Sequence, residues 1–226
     1  MTTRLDKLIN DKKNQPVTTQ QWVTELLREG ILNGYIKDEE LDTTTLAKRL
    51  GVSRMPVRTA LHQLEFEGLV NMEPHKKAMA TKLSPDEVRN IYEVRYELES
   101  LAIRLAIDHM TASDLVYLYD LVIQMDFCEE IDFVGLNKQF HNKLNELSQN
   151  SMLYDLNNRY RNNVERYLKL YLANQTNLKL ANKEHKEIMV TLKNKDKDQA
   201  SELIKVHLKH TCERVVQQLY YFGYKS

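Results

Sequence analysis

Between Leu50 and Pro56 the chain reads Leu-Gly-Val-Ser-Arg-Met-Pro, and this run restricts the fold more than any other. Gly51 follows Leu46, Ala47 and Leu50, which keep helical spacing. Glycine enters the left-handed conformation that closes a helix without steric cost. Ser53 is a favoured N-cap residue, and Pro56 falls in the turn after it, where a missing N–H costs nothing. One helix therefore ends and another begins within three residues. The first runs from about Thr44 to Leu50. The second, Arg54 to about Glu67, carries a buried stripe of Val57, Leu61 and Leu64 and closes at Gly68. Upstream, Trp22, Val23, Leu26, Leu27, Ile31 and Leu32 repeat at helical spacing from Thr18 until Asn33-Gly34. Downstream, Leu69–Glu73 and Ala78–Lys82 flank Pro74-His75-Lys76-Lys77 and read as a small β-hairpin.

The second half opens on Ser84-Pro85-Asp86-Glu87. That run combines an N-cap serine, a proline at the first helical position and a glutamate that completes a capping box. A domain boundary is placed just before it, near residue 82. Helical stretches follow at about 85–109, 112–127, 130–149, 151–173, 177–194 and 196–221. Their breaks are short and polar, which implies antiparallel neighbours and a bundle. Only 6 Gly and 4 Pro in 226 residues fit a helical chain. The expected fold is mainly α. A polar arm or short extra helix over 1–17 precedes a three-helix unit with a hairpin over 18–82, a winged helix-turn-helix. An all-α antiparallel bundle over 83–226 completes the chain. No apolar run approaches the roughly 18 residues of a membrane span, and the N-terminus lacks the apolar core of a signal peptide. A cytoplasmic protein with no membrane partner is expected, with Cys128 and Cys212 as two reduced structural thiols.

Charge is balanced overall, with 32 basic and 32 acidic residues. A chain coated in nucleic acid is therefore excluded, but a local reading surface is not. Lys48 to Lys77 holds six basic residues against three acidic ones, and the basic ones lie at its two ends. A helix fits the major groove of B-DNA with its N-terminal residues on the base edges. Arg54 and Arg58, four apart, project from one face of the third helix, opposite its apolar stripe. Each guanidinium can fork onto guanine O6 and N7 or clamp a phosphate. Lys76 and Lys77 at the hairpin tip can reach the minor groove or the backbone.

The chain has seven histidines. Asn137 and His141 share a helix face, and His185 and His207 fall on two later helices. Three imidazoles and an oxygen donor from separate helices suit a divalent transition metal such as Zn, Ni or Mn. Spacing alone does not separate this from three unrelated histidines. An all-helical metal-dependent hydrolase would need an open coordination position and a general base. No His-Glu-x-x-His or nucleophile motif is present. Arg95 lies four residues before Glu99, and it can either fork onto a ligand carboxylate or form an intrahelical pair; Arg159 and Arg161 are further candidates for a ligand carboxylate.

The run LAKRLGVSRMPVRTALHQLEFEGLV, residues 46–70, resembles the signature of the GntR family of transcription regulators. LSPDEVRNIYEVRYELESLAIRLA, residues 83–106, resembles the start of that family's FadR-like effector domain, the FCD type. The resemblance spans about 18–221. It implies a homodimer that sets two recognition helices on a short palindromic operator in double-stranded DNA. It implies that Arg54 and Arg58 contact DNA, assisted by Ser53 and the wing. It also implies an Asp-x-x-x-His pair and two later histidines on a metal, matched here at His141, His185 and His207, and an effector cavity beside Arg95. Three positions depart from the family pattern. Met55 stands where threonine is common, so an apolar contact, for instance to a thymine methyl, replaces a hydroxyl. Lys77 stands where the wing usually has glycine, which makes wing contact mainly electrostatic. Asn137 replaces the usual aspartate and brings no charge to offset a cation, so weaker metal binding, or a metal that needs an anionic effector, is expected. The function implied is a repressor modulated by a small carboxylate metabolite, with Met79–Ser84 as the hinge. The readings that compete with it are the hydrolase and a DNA-binding scaffold without an effector.

Overall fold

The structure, a computed structural model, describes residues 9, 18–32, 35–36, 40–72, 77–81, 84–128, 130–172 and 175–221. It divides into two compact units, Met1–Lys82 and Leu83–Ser226. The fold class expected from the sequence is the one observed, helical throughout apart from one small sheet.

The first unit holds α1 (Thr19–Leu32), β1 (Glu40–Leu41), α2 (Thr43–Leu50), α3 (Arg54–Phe66), β2 (Val70–Asn71) and β3 (Ala78–Ala80). Trp22, Val23, Leu26, Leu27 and Ile31 on α1 meet Leu46 and Leu50 on α2 and Val57, Leu61 and Leu64 on α3 in one core. Asp42 starts α2, its carboxylate accepting the Thr45 N–H at 2.7 Å. Gly51 ends it at φ 68°, with its N–H returned to Ala47 and Lys48. Arg28 on α1 forks onto Glu67 just past α3, at 2.8 and 2.6 Å, and so fixes the two helices in register.

The sheet differs from a simple hairpin. β3 lies between β1 and β2 and pairs antiparallel with both, Leu41 opposite Ala78 and Val70 opposite Ala80. The extra strand β1 is two residues long, too short to carry a period-two pattern. Of the expected arm over 1–17, only Ile9 is described. It is helical and buried in the first core. The hairpin tip, Lys76 included, and Lys82 and Leu83 of the expected hinge lie outside the described residues.

The second unit is a bundle of α4 (Pro85–His109), α5 (Ala112–Phe127), α6 (Glu130–Leu147), α7 (Ser151–Leu172), α8 (Gln175–Asn194) and α9 (Lys197–Tyr221). Ser84 and Glu87 form the expected capping box, and Thr111 and Asp114 form a second one at α5. Val88, Tyr92, Ile103, Phe133, Phe140, Val164, Ile188, Ile204 and Val215 line a continuous core. No helix among the described residues is long and apolar enough to cross a membrane. Both cysteines are free thiols.

Candidate nucleic-acid interface and candidate metal centre

The core positions of α3 fix which side chains it leaves outside. With Val57, Ala60, Leu61 and Leu64 buried, Ser53, Arg54, Met55 and Arg58 face solvent. Met55 is 67% exposed, a large apolar side chain held in water at the start of a helix. Ser53 occupies the N-cap position but makes no side-chain capping bond, contrary to the reading of the sequence. Its hydroxyl is thereby left toward solvent beside the two arginines. Ser53 and Met55 border an open hollow that also takes in Thr18, Thr19 and Gln20 at the start of α1. Lys77 is exposed, and its ammonium adds to the Thr45 hydrogen bonds that hold Asp42 below the usual carboxylate range.

The second site is buried. His141 on α6, His185 on α8 and His207 on α9 each offer a nitrogen, and these atoms lie within 4.8 Å of one another. The ring centroids are 4.7 to 5.6 Å apart. Two of the rings are oriented by carboxylates. His141 Nδ1 is 2.6 Å from Glu99 Oε2, and His207 Nδ1 is 2.7 Å from Glu184 Oε2. A carboxylate only accepts, so each Nδ1 donates, and in the neutral ring each Nε2 would keep a lone pair for a cation. His185 is fully buried, and neither of its ring nitrogens has a hydrogen-bond partner among the described residues. Burial drives its pKa well below the ordinary value, with His207 and His141 adding to the effect. Burial likewise takes His141 down to about 4. Three imidazoles, two oriented from behind and one with orphaned nitrogens, fit a divalent transition metal.

Arg95 and Arg161 stand beside this centre. Tyr92, Arg95, Asn137, His141, Arg161 and His207 line one small cavity of about 10 Å³. That is room for about one water-sized occupant. Arg95 Nη2 donates to Glu99 Oε1 at 2.6 Å, so the intrahelical pair weighed for it is real. Its guanidinium also lies 4.7 Å from the Tyr92 ring centroid. Yet Arg95 Nε and Nη1, Arg161 Nη1 and the Tyr92 hydroxyl are buried without a hydrogen-bond partner among the described residues. Burial would raise Glu99, but His141, Arg95 and Arg161 outweigh it and hold the carboxyl well below its usual range. One glutamate thus serves an imidazole and a guanidinium at once.

The structure brings Asn137, His141, His185, His207 and Arg95 together, and sets Ser53, Arg54, Met55 and Arg58 on one exposed face of the other unit. Glu99, Glu184 and Tyr92 went unread as site residues in the sequence, and Arg161 had no spacing signal. The one hint was Glu99 four residues after Arg95.

Residues 19–78 match the pattern of the bacterial regulatory proteins of the gntR family, and residues 90–210 match the FCD domain. The chain belongs to the GntR family, in the branch that joins a helix-turn-helix domain to an FCD domain, and it is a transcriptional regulator. It is 30% identical over 195 residues to the HTH-type transcriptional regulator YdhC of Bacillus subtilis, across 84% of this chain and 87% of that one. It is 26% identical over 208 residues to the HTH-type transcriptional repressor RspR of Escherichia coli, across 90% of each. The solved structure of E. coli McbR/YncC superposes with a TM-score of 0.75 at 24% identity, over 89% of this chain and 99% of that one, and shares the fold. The family and these relatives are regulators, not enzymes, which removes the hydrolase reading.

Proposed function

We propose that the protein is a homodimeric repressor that reads a palindromic operator through α3 and is modulated by a small carboxylate bound beside a divalent metal in the second unit. Arg54 and Arg58 take base edges or phosphates, Met55 contacts a thymine methyl, and Ser53 and the start of α3 receive a phosphate oxygen. Lys76 and Lys77 add a salt-sensitive contact at the wing. The localisation that follows is cytoplasmic.

In the bundle, His141, His185 and His207 would hold Zn, Ni or Mn, with Asn137 as a neutral oxygen donor. A bound metal would supply a Lewis-acid position for a carboxylate oxygen. Arg95 and Arg161 would fork onto the same anion. The observation that carries this reading is a set of orphaned buried polar atoms, His185 Nδ1 and Nε2 in the histidine cluster, with Arg95 Nε and Nη1 and Arg161 Nη1 on the cavity that His141 and His207 also line. Leaving such groups unpaired costs about 1–3 kcal/mol each, and more when they are charged, so a ligand that satisfies them gains that much. The cavity is small, so a metabolite of several carbons has to part the lining helices as it enters. Operator affinity then changes by the ligand's preference for one arrangement of the chain over another.

The test begins with selection of bound fragments from random duplex DNA, followed by fluorescence anisotropy on the selected operator. Wild type should bind it with strong salt dependence, and Arg54→Ala/Arg58→Ala should not. Equal binding by both proteins would overturn the assignment of α3. Calorimetric titration with a panel of organic and sugar acids tests the effector, and silence across the panel would leave a DNA-binding scaffold.

A further inference from the structure

We propose that His62 is a third duplex-reading residue on α3 and that it couples operator binding to the uptake of a proton, its imidazolium holding an acceptor on the DNA that the neutral ring cannot hold. The proposal rests on the assignment of α3 above as the helix that enters the groove.

His62 stands one turn beyond Arg58 and two turns beyond Arg54. The core side of α3 is fixed by Val57, Ala60, Leu61 and Leu64. At about 3.6 residues per turn, His62 falls close to the direction opposite their midpoint, so it lies near the centre of the outward face. Its side chain is half exposed, and Nδ1 lies 3.4 Å from Glu65 Oε2. A carboxylate accepts, so Nδ1 donates and the neutral ring carries its lone pair on Nε2. That lone pair opposes a phosphate oxygen, guanine O6 or guanine N7, all of which are acceptors. Protonation turns Nε2 into a donor and extends the positive charge of Arg54 and Arg58 along the helix.

The other charged groups of α3 are Arg54, Arg58 and Glu65. The elements packed on it are α1, α2 and β2. α1 carries Glu25, Arg28 and Glu29, α2 carries Lys48 and Arg49, and β2 carries no charge. Both helices meet the buried stripe, behind α3 from His62, and Arg28 is held by Glu67. Glu65 is therefore the one carboxylate seen against the ring among the described residues. A duplex adds a dense row of phosphates in front of it. The imidazolium is then favoured more in the complex than in the free protein, so binding takes up a proton. By linkage, operator affinity rises as pH falls through the range in which an imidazole titrates. The first unit has one other histidine, His75, outside the described residues.

The experiment is fluorescence anisotropy of the full-length protein on its selected operator at about pH 8 and about pH 6, which bracket the ordinary titration of histidine. Wild type is expected to bind about two- to fivefold more tightly at the lower pH, the worth of one exposed charge pair. His62→Gln should lose that gain, His75→Gln should keep it, and His62→Arg should bind tightly at both values. A salt slope steeper by about one at the lower pH would assign the acceptor to a phosphate. An unchanged slope with altered preference at one base pair would assign it to a base edge. Affinity that does not change with pH, or a gain that survives in His62→Gln, would overturn the proposal. Should His62→Gln not fold, a pH gain retained by His62→Arg would overturn it equally. Wild type that ignores the operator at both values would overturn the assignment of α3 instead.

Discussion

The two units carry arginine pairs in opposite circumstances. Arg54 and Arg58 stand in water on α3, while Arg95 and Arg161 are almost wholly enclosed. An exposed guanidinium is solvated until a duplex replaces the water, so its presence costs the fold nothing and its removal should cost the fold nothing. A buried guanidinium has given up its hydration, and one carboxylate with partial hydrogen bonding offsets that only in part. The first pair is therefore tuned for binding alone. The second makes the fold and the ligand site share the same residues, so that changes there register in both.

That contrast can be broken in several ways. The largest effect is expected at Glu99, which holds a ring and a guanidinium together. Glu99→Ala leaves Arg95 without its carboxylate and Arg161 with Glu165 alone, and should lower stability by about 3–5 kcal/mol, read as a fall in the urea midpoint. Next comes Arg58→Ala, which should weaken operator binding by about 1–3 kcal/mol, measured by anisotropy, with the urea midpoint unmoved. If Arg58→Ala destabilised the fold as much as Glu99→Ala, the distinction between the two pairs would fail. A smaller change is expected at Gly51. An added Cβ meets no atom within 4 Å, so any cost is the positive φ alone. Gly51→Ala should lose about 1 kcal/mol of stability, whereas no loss would mean that the turn relaxes freely.

The same contrast explains what the sequence made legible. The first site is local. Arg54 and Arg58, the glycine stop at 51 and the apolar stripe of α3 lie within fifteen residues, and helical spacing alone puts them on their faces. The helices of the second unit were legible for the same reason, since Ser84–Glu87 and the polar breaks are short-range signals. The centre in the bundle is different in kind. His141, His185 and His207 could be named as candidates, but only packing shows that they converge. Glu99 and Glu184 act through rings from other helices, and only packing shows that Arg161, named in the sequence as a further candidate, is buried beside Arg95. No spacing rule reaches across such separations. Asp42 was missed because the run Asp-Thr-Thr-Thr offers several capping residues in a row. Strand β1 was missed because two residues hold no pattern.

The most direct test of the account is at His185, whose two ring nitrogens sit in the core without a hydrogen-bond partner among the described residues. If that imidazole is kept for a ligand, an apolar side chain of similar size should serve the empty fold at least as well, since it removes an unsatisfied polar group. Urea unfolding of His185→Leu and wild type, each with chelator and each with zinc plus formate, makes the comparison. The account predicts that the variant matches or exceeds wild type in chelator and gains nothing from zinc and formate, while wild type gains. A variant stabilised by zinc and formate as much as wild type would contradict it.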